Sequence, residues 1–425
     1  MEYIKSEISS GVTLLSVSAN RFKTNETAIT LALPLKNETA SANALLINLL
    51  SRKCADYPDM LSLNRKLARL YGANLSGSVA KSGECQILKL SLSSLDDRFS
   101  LDGESISLAC IKLLCSMLFH PRLDKNGNFY QEDIDAEKRI LIEKIEAEEN
   151  EKRTYVLRQT EKLMFADEPY SINRFGNIEQ IKTLTAGDIK TAWINAVSSA
   201  KILVTVVGDT DIDEVKSYLT DCFGKTERSY EKLPEAVFIP ESTEVKRKTE
   251  RIDVKQGKLV LGFRVNMKGN DKLAPAMRTF CDVFGGGPYS KLFANVREKM
   301  SLCYYCSARY TRQKSYIMIQ CGCNEESMDK AVNEILNQLE IIKNGDFEEE
   351  FSSSKMALRD AIMAVNDAPD MLEFWYAGQI TDDDFKSPEM SVKENDSVTA
   401  EQVKHCASLL SLDTVYKLAA PKEAE

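Results

Sequence analysis

The stretch "GGGPYSKLFANVREKMSLCYY" (residues 285–305) gathers the side chains of this chain whose types and spacing best suit chemistry. Arg297 is a fixed cation at the end of a short helical pattern, and Tyr304 is a phenol seven residues later in an apolar, strand-like run. The rest of the usual catalytic repertoire is sparse. Only two histidines occur, His120 and His405, so no His-pair metal motif can form within the chain, and few His-based triads could. His120 precedes a turn in "MLFHPRLD" and His405 sits in a polar helical pattern; both read as structural. The Gly285–Gly287 run lacks the terminal Gly-Lys-Ser/Thr of a phosphate-binding loop. Cys303, Cys306, Cys321 and Cys323 raise the question of a four-thiol zinc site. A strand over 302–310 would send residues three apart to opposite faces, so Cys303 and Cys306 are expected not to chelate together. Buried thiols on facing strands are the simpler expectation.

The composition narrows the classes further. A 425-residue chain exceeds one ordinary domain. Apolar and charged fractions of 43% and 28% are those of a globular protein. A net charge of −9, with no basic stripe interleaved with aromatics, argues against a nucleic-acid partner. No apolar run suits a membrane helix, and "MEYIKSEISSGVTLLSV" lacks the basic-then-apolar order of a signal peptide. Eleven cysteines, an odd number scattered through element-like segments, favour free thiols in a reducing compartment and a cytoplasmic location.

The elements that must position Arg297 and Tyr304 belong to the second of two similar halves. In the first half "AITLALPL" (28–35) reads as a strand, and 39–53 place Ala42, Leu45, Leu46, Leu49 and Leu50 on one helix face. A second helix stops at Gly72, two strands flank a turn at Ser82–Gly83, and a long charged helical pattern runs from 130 to 165. Residues 224–250 are polar, contain two prolines and have no period, which marks a linker. The grammar of the first half (1–223) then restarts in 251–425. Moved forward by 229 residues, "LARLYGANLSGSVAKSGECQILKLSLS" lies on "VREKMSLCYYCSARYTRQKSYIMIQCG", so Ile87, Leu88, Leu90 and Leu92 fall on Tyr316, Ile317, Ile319 and Cys321. "TAGDIK" (185–190) falls on "TAEQVK" (399–404). These features predict a duplicated α+β unit with mostly antiparallel sheets and helices packed on one face.

Two α+β halves, a charged linker and a Gly-rich loop leading to a helix and then "R…Y" resemble the insulinase (pitrilysin) family of zinc peptidases. "KLVLGFR" and "EPYSINRFGNIEQIKTLTAGDI" (168–189) extend the resemblance, which covers nearly the whole chain. It implies two homologous domains forming half of a clamshell chamber. It also implies a zinc helix bearing H-x-x-E-H in the first half, with a further Glu ligand from the long helix. Here Leu45 and Leu49 stand where the histidines would be and Asn48 where the general base would be. Glu137 matches the supporting acid, but Lys144 occupies the third ligand position, with Glu143 one residue off. Arg297 and Tyr304 match the pair that in the family reaches the zinc site and steadies the oxyanion.

The resemblance therefore implies a zinc-less chain. Its partner would be a zinc-bearing chain of the same family in a heterodimer, with zinc in that partner only. Arg297 and Tyr304 would act in the partner's site, while Gly285, Gly286 and Gly287 or an edge strand would hold the peptide. The alternative is a non-catalytic peptide-binding or structural homodimer of the same fold. The blander readings are a helix-end cation for Arg297, a strand-packing aromatic for Tyr304 and a flexible helix lead for the glycines.

Overall fold

The computed structural model describes residues 3–382 and 384–421. It contains two compact units. The first holds the chain up to Ile145 together with Ile172–Glu235 and Val365–Pro388. The second holds Glu146–Ser171, Ala236–Ala364 and the chain from Glu389 onward. Relative to a contiguous division, each unit thus takes one segment from the opposite half of the sequence.

The first unit is built on a sheet of β1 (Tyr3–Ser9), β2 (Val12–Val17), β3 (Thr24–Pro34), β4 (Asn74–Ser82), β5 (Cys85–Leu95) and β6 (Lys201–Val207), in the order β1-β2-β6-β3-β5-β4. The second unit has β7 (Lys246–Arg251), β8 (Lys258–Val265), β9 (Tyr305–Thr311), β10 (Tyr316–Gly322) and β11 (Leu410–Ala419), in the order β7-β11-β8-β10-β9. Apart from β1, the two orders are the same path walked twice. β2 and β6 are parallel, as are β7 and β11, and every other pairing is antiparallel. The repeat holds at the level of register. Ile29 pairs with Leu90 on one side and Val204 on the other. In the second unit Leu261 pairs with Ile319 and Val415. Leu90 and Ile319 are the two residues that the 229-residue offset superposes. The α+β architecture and its duplication are as the sequence predicts, but helices cover both faces of each sheet instead of one.

The central strands read as continuous apolar runs because both faces of each sheet are covered. In the first unit the helices Asn37–Leu50 and Ile106–Phe119 fill one side, with Leu45, Leu49, Ile111 and Leu114 in one cluster with Ile29, Leu31 and Leu90. The opposite face receives Pro369–Ala377, which buries Leu372 and Tyr376 against Leu15, Val17, Ala32 and Leu203. In the second unit Ala274–Gly285 and Glu325–Asn344 cover one face, and Lys152–Met164 covers the other. Gly262 lies in β8 beneath that last helix, where a Cβ would come within 2.7 Å of Met164 Sδ. A larger residue there would have to push the Met164 thioether aside.

The charged stretch 130–165 is two helices, Gln131–Asn150 and Lys152–Met164, instead of one. Glu151 ends the first and caps the second, its carboxylate accepting hydrogen bonds from the Arg153 and Thr154 amides. The last residues of the polar stretch 224–250 enter β7, where "KRKTER" forms a sheet edge with mostly exposed side chains.

A buried carboxyl makes the first unit sensitive to pH. Glu26 on β3 is 6% exposed, and burial followed by the nearby Glu373 raises its pKa from 4.5 to about 7, with Lys89 opposing. Lys89 donates to Glu373 at 2.7 Å, and burial raises that acid too. Between pH 4.5 and 7 the native state holds the extra proton, so stability falls as pH rises through this window. The full effect of Glu26 is about 3 kcal/mol. Glu26→Gln is expected to remove most of this slope and to raise the urea midpoint at pH 8. Both tryptophans, Trp193 and Trp375, belong to the first unit, so their fluorescence reads this transition. A slope unchanged by the substitution would contradict the assignment.

Candidate functional site

In the first unit, the helix Asn37–Leu50 carries Leu45, Asn48 and Leu49, the positions that the sequence resemblance aligns with a metal motif. Leu45 is fully buried and Leu49 is 6% exposed, both within the apolar core, while Asn48 is half-buried. Aliphatic carbon offers no lone pair, so this helix does not fit a catalytic zinc ion. Lys144 is exposed, its Nζ lying 5.0 Å from the centre of the Phe175 ring; Glu143 is exposed as well.

Where a metal would need carboxylates and imidazoles, the unit has a cation-rich cavity of about 210 Å³. Leu49, Arg52, Lys53, Arg122, Asp133 and Glu137 line it, among others. Lys53 and Arg122 both bind Asp133, at 2.5 and 2.7 Å. Arg52 lies 3.5 Å from Glu137, whose second oxygen is buried without a hydrogen-bond partner. Burial raises the Glu137 pKa, with Arg52 as the main opposing influence. Three cations facing two carboxylates would repel a divalent ion. Of the charged residues here, Glu137 was legible in the sequence. The "SRK" run closing the helix pattern was the available signal for Arg52 and Lys53.

In the second unit, Gly285 ends the helix Ala274–Gly285, and a Cβ there would meet the Ala308 amide nitrogen of β9 at 2.6 Å. The glycine lets the helix end approach the edge strand. None of Gly285, Gly286 and Gly287 has a positive φ. The turn is tied back by Tyr289, whose hydroxyl donates to Asp282 at 2.7 Å. Burial raises the pKa of Asp282, while its hydrogen bonds with Tyr289 and Ser354 act against the rise.

The next element, Leu292–Lys299, is a π-helix, with i→i+5 closure from the Met300 amide to the Asn295 carbonyl. Such wide turns are rare and concentrate at functional sites. Arg297 lies near its end, half-exposed, with its guanidinium carbon 4.5 Å from the centre of the Phe293 ring. The one acidic neighbour among the described residues is the exposed Glu298, at 3.6 Å. Ser301 then takes a left-handed conformation (φ 50°) and turns the chain toward the sheet. Tyr304 precedes β9, its amide bound to the Gly322 carbonyl at 2.8 Å. Its side chain is 65% exposed, and its hydroxyl has no partner among the described residues.

That turn corrects one expectation. Residues 302–310 are not one strand, because β9 begins at Tyr305. Cys303 lies outside the pleat and swings to the same side as Cys306. The sulfurs of Cys303, Cys306 and Cys321 lie within 4.8 Å of one another.

Residues 183–358 match the family model described as the peptidase M16 inactive domain. The chain is 29% identical over 415 residues to a Bacillus subtilis protein named as a probable inactive metalloprotease, with 96% of each covered. Its fold superposes on the crystal structure of a conserved protein from Enterococcus faecalis with a TM-score of 0.89, at 25% identity and full coverage of both chains. A structure described as the peptidase M16 inactive domain from Pseudomonas fluorescens gives 0.79 at 16% identity, again over both whole chains. Over residues 183–358 the chain is thus similar to the M16 inactive domain, and over nearly its whole length to a protein named as an inactive metalloprotease. The leucines on the first helix agree with that similarity, since Leu45 and Leu49 offer no donor to a metal. No helix among the described residues is long and apolar enough to cross a membrane.

Proposed function

We propose that this chain is the zinc-less subunit of an M16 peptidase, paired with a zinc-bearing chain of the same family in peptide or protein processing. The observation that carries the reading is an asymmetry of loss. The first-half donors are gone, replaced by Leu45, Asn48 and Leu49, while the second half retains Arg297 and Tyr304 at the family spacing. Both side chains are solvent-facing, and neither is held by a buried partner among the described residues. They would steady the oxyanion formed at the partner's zinc. The Gly285–Gly287 turn beside β9 would lie along the peptide. Because β9 is a sheet edge, strand addition is the natural mode for that contact. The described cysteines are all unpaired, which supports a reducing, cytoplasmic setting.

Co-expression with a zinc-bearing M16 chain tests the reading. The expected result is a co-eluting heterodimer that cleaves unstructured peptides faster than the zinc-bearing chain alone. Separate elution, with the partner's rate unchanged on mixing, would count against it.

A further inference from the structure

Three of the eleven cysteines, Cys303, Cys306 and Cys321, meet at one point in the core of the second unit, and Cys323 is buried in the same apolar cluster. Cys306 on β9 and Cys321 on β10 are direct cross-strand partners and so share a face. Cys323 follows just past the end of β10 and is buried in the same apolar cluster as the other three. Cys303 arrives from outside the strand through the turn at Ser301. The sulfurs of Cys303, Cys306 and Cys321 all lie within 4.8 Å of one another. Cys303 is 9% exposed and Cys306 6%, whereas Cys321 and Cys323 are fully buried. The cluster has depth, with one side near the surface.

We propose that Cys303, Cys306 and Cys321 bind a single Zn²⁺ ion, with Cys323 completing a tetrahedral four-thiolate site. Zinc–sulfur bonds of about 2.3 Å place tetrahedral ligands ~3.8 Å apart. Three sulfurs already within 4.8 Å need close by only about 1 Å to meet that geometry. Soft thiolates select such an ion over oxygen-seeking cations. Each Zn–S bond replaces an S–H bond, so binding releases four protons and moves no electrons. The resulting double negative charge faces cations on two sides. Arg297 acts on Cys303, and Lys258 and Lys417 act on Cys323. The ion would join β9 and β10 to the 301–304 turn between Arg297 and Tyr304. This is a structural role, and it does not depend on whether that pair takes part in catalysis.

The test uses the full chain, purified under reductant, stripped with a chelator and titrated in metal buffers with Zn²⁺ and separately with Co²⁺. One Zn²⁺ per chain is expected, with proton release and, for Co²⁺, intense thiolate-to-metal charge-transfer absorption. Cys303→Ser and Cys306→Ser should each weaken binding by at least ~100-fold. Cys406→Ala, which alters a buried thiol elsewhere in the same unit, should leave binding unchanged. Failure of the unaltered chain to bind Zn²⁺ stoichiometrically overturns the proposal whatever the variants do. So does Co²⁺ binding without charge-transfer absorption, or binding that survives loss of Cys303 and Cys306.

Discussion

Replacing Arg264 with alanine is expected to lower the stability of the second unit by about 3–5 kcal/mol, the cost of leaving buried charge uncompensated. Arg264 on β8 is 4% exposed and binds two acids at once, Glu168 at 2.8 Å and Asp413 at 3.0 Å. It also donates to the Met164 carbonyl at 2.9 Å. Lys314, equally buried, binds the other oxygen of Glu168 at 2.6 Å and the Val237 carbonyl at 2.8 Å. Its ammonium and the Arg264 guanidinium flank the Phe165 ring, at 5.6 and 4.6 Å from the ring centre. Alanine at 264 would strand Asp413 and leave Glu168 with Lys314 alone. Arg264→Lys keeps the charge but loses the planar fork that reaches both acids, so an intermediate loss is expected. Since neither tryptophan belongs to this unit, hydrogen exchange of β8 and β11 peptides is the appropriate readout. Exchange in those peptides unchanged by the alanine substitution would mean that the cluster contributes little.

The second large effect is kinetic. In a complex with a zinc-bearing chain, Arg297→Ala and Tyr304→Phe should each lower kcat/KM by about 10²–10³-fold, the scale of one lost oxyanion donor. Their exposure predicts stability changes within about 0.5 kcal/mol for either variant alone. The pairing of a large kinetic loss with intact folding separates a catalytic contribution from a packing one. If both variants leave the rate of the complex untouched, the pair is only a helix-end cation and a surface phenol.

Much of this architecture could be read from the order of residues. The 229-residue offset that superposes Leu90 on Ile319 reappears as equivalent strand registers in two sheets, since the pattern of buried positions is what fixes register. That Leu45 and Leu49 offer nothing to a metal was equally legible, because leucine lacks a donor in any fold. Two features were hidden. An amphipathic helix carries the same pattern wherever it docks, so nothing in Lys152–Met164 or Pro369–Ala377 announces which sheet it will cover. The meeting of Cys303 with Cys306 depends on one left-handed residue, Ser301, which displaces the strand start to Tyr305. A serine gives no warning of a positive φ as glycine would. The cavity around Glu137 was concealed for a related reason, since Arg52 and Lys53 reach it from just past the end of another helix and Arg122 from outside either helix.

The traded segments also bear on how the polypeptide is made. The first sheet lacks the cover for one face until Val365–Pro388 has left the ribosome, although its last strand was complete more than a hundred residues earlier. A gene cut within 224–250 would yield two translation products, each displaying a bare apolar wall: one without Leu372 and Tyr376, the other without Val156, Met164 and Phe165. Maturation of the first sheet is thereby tied to synthesis of nearly the whole protein, and truncated messages would give sticky, incomplete pieces instead of independent modules.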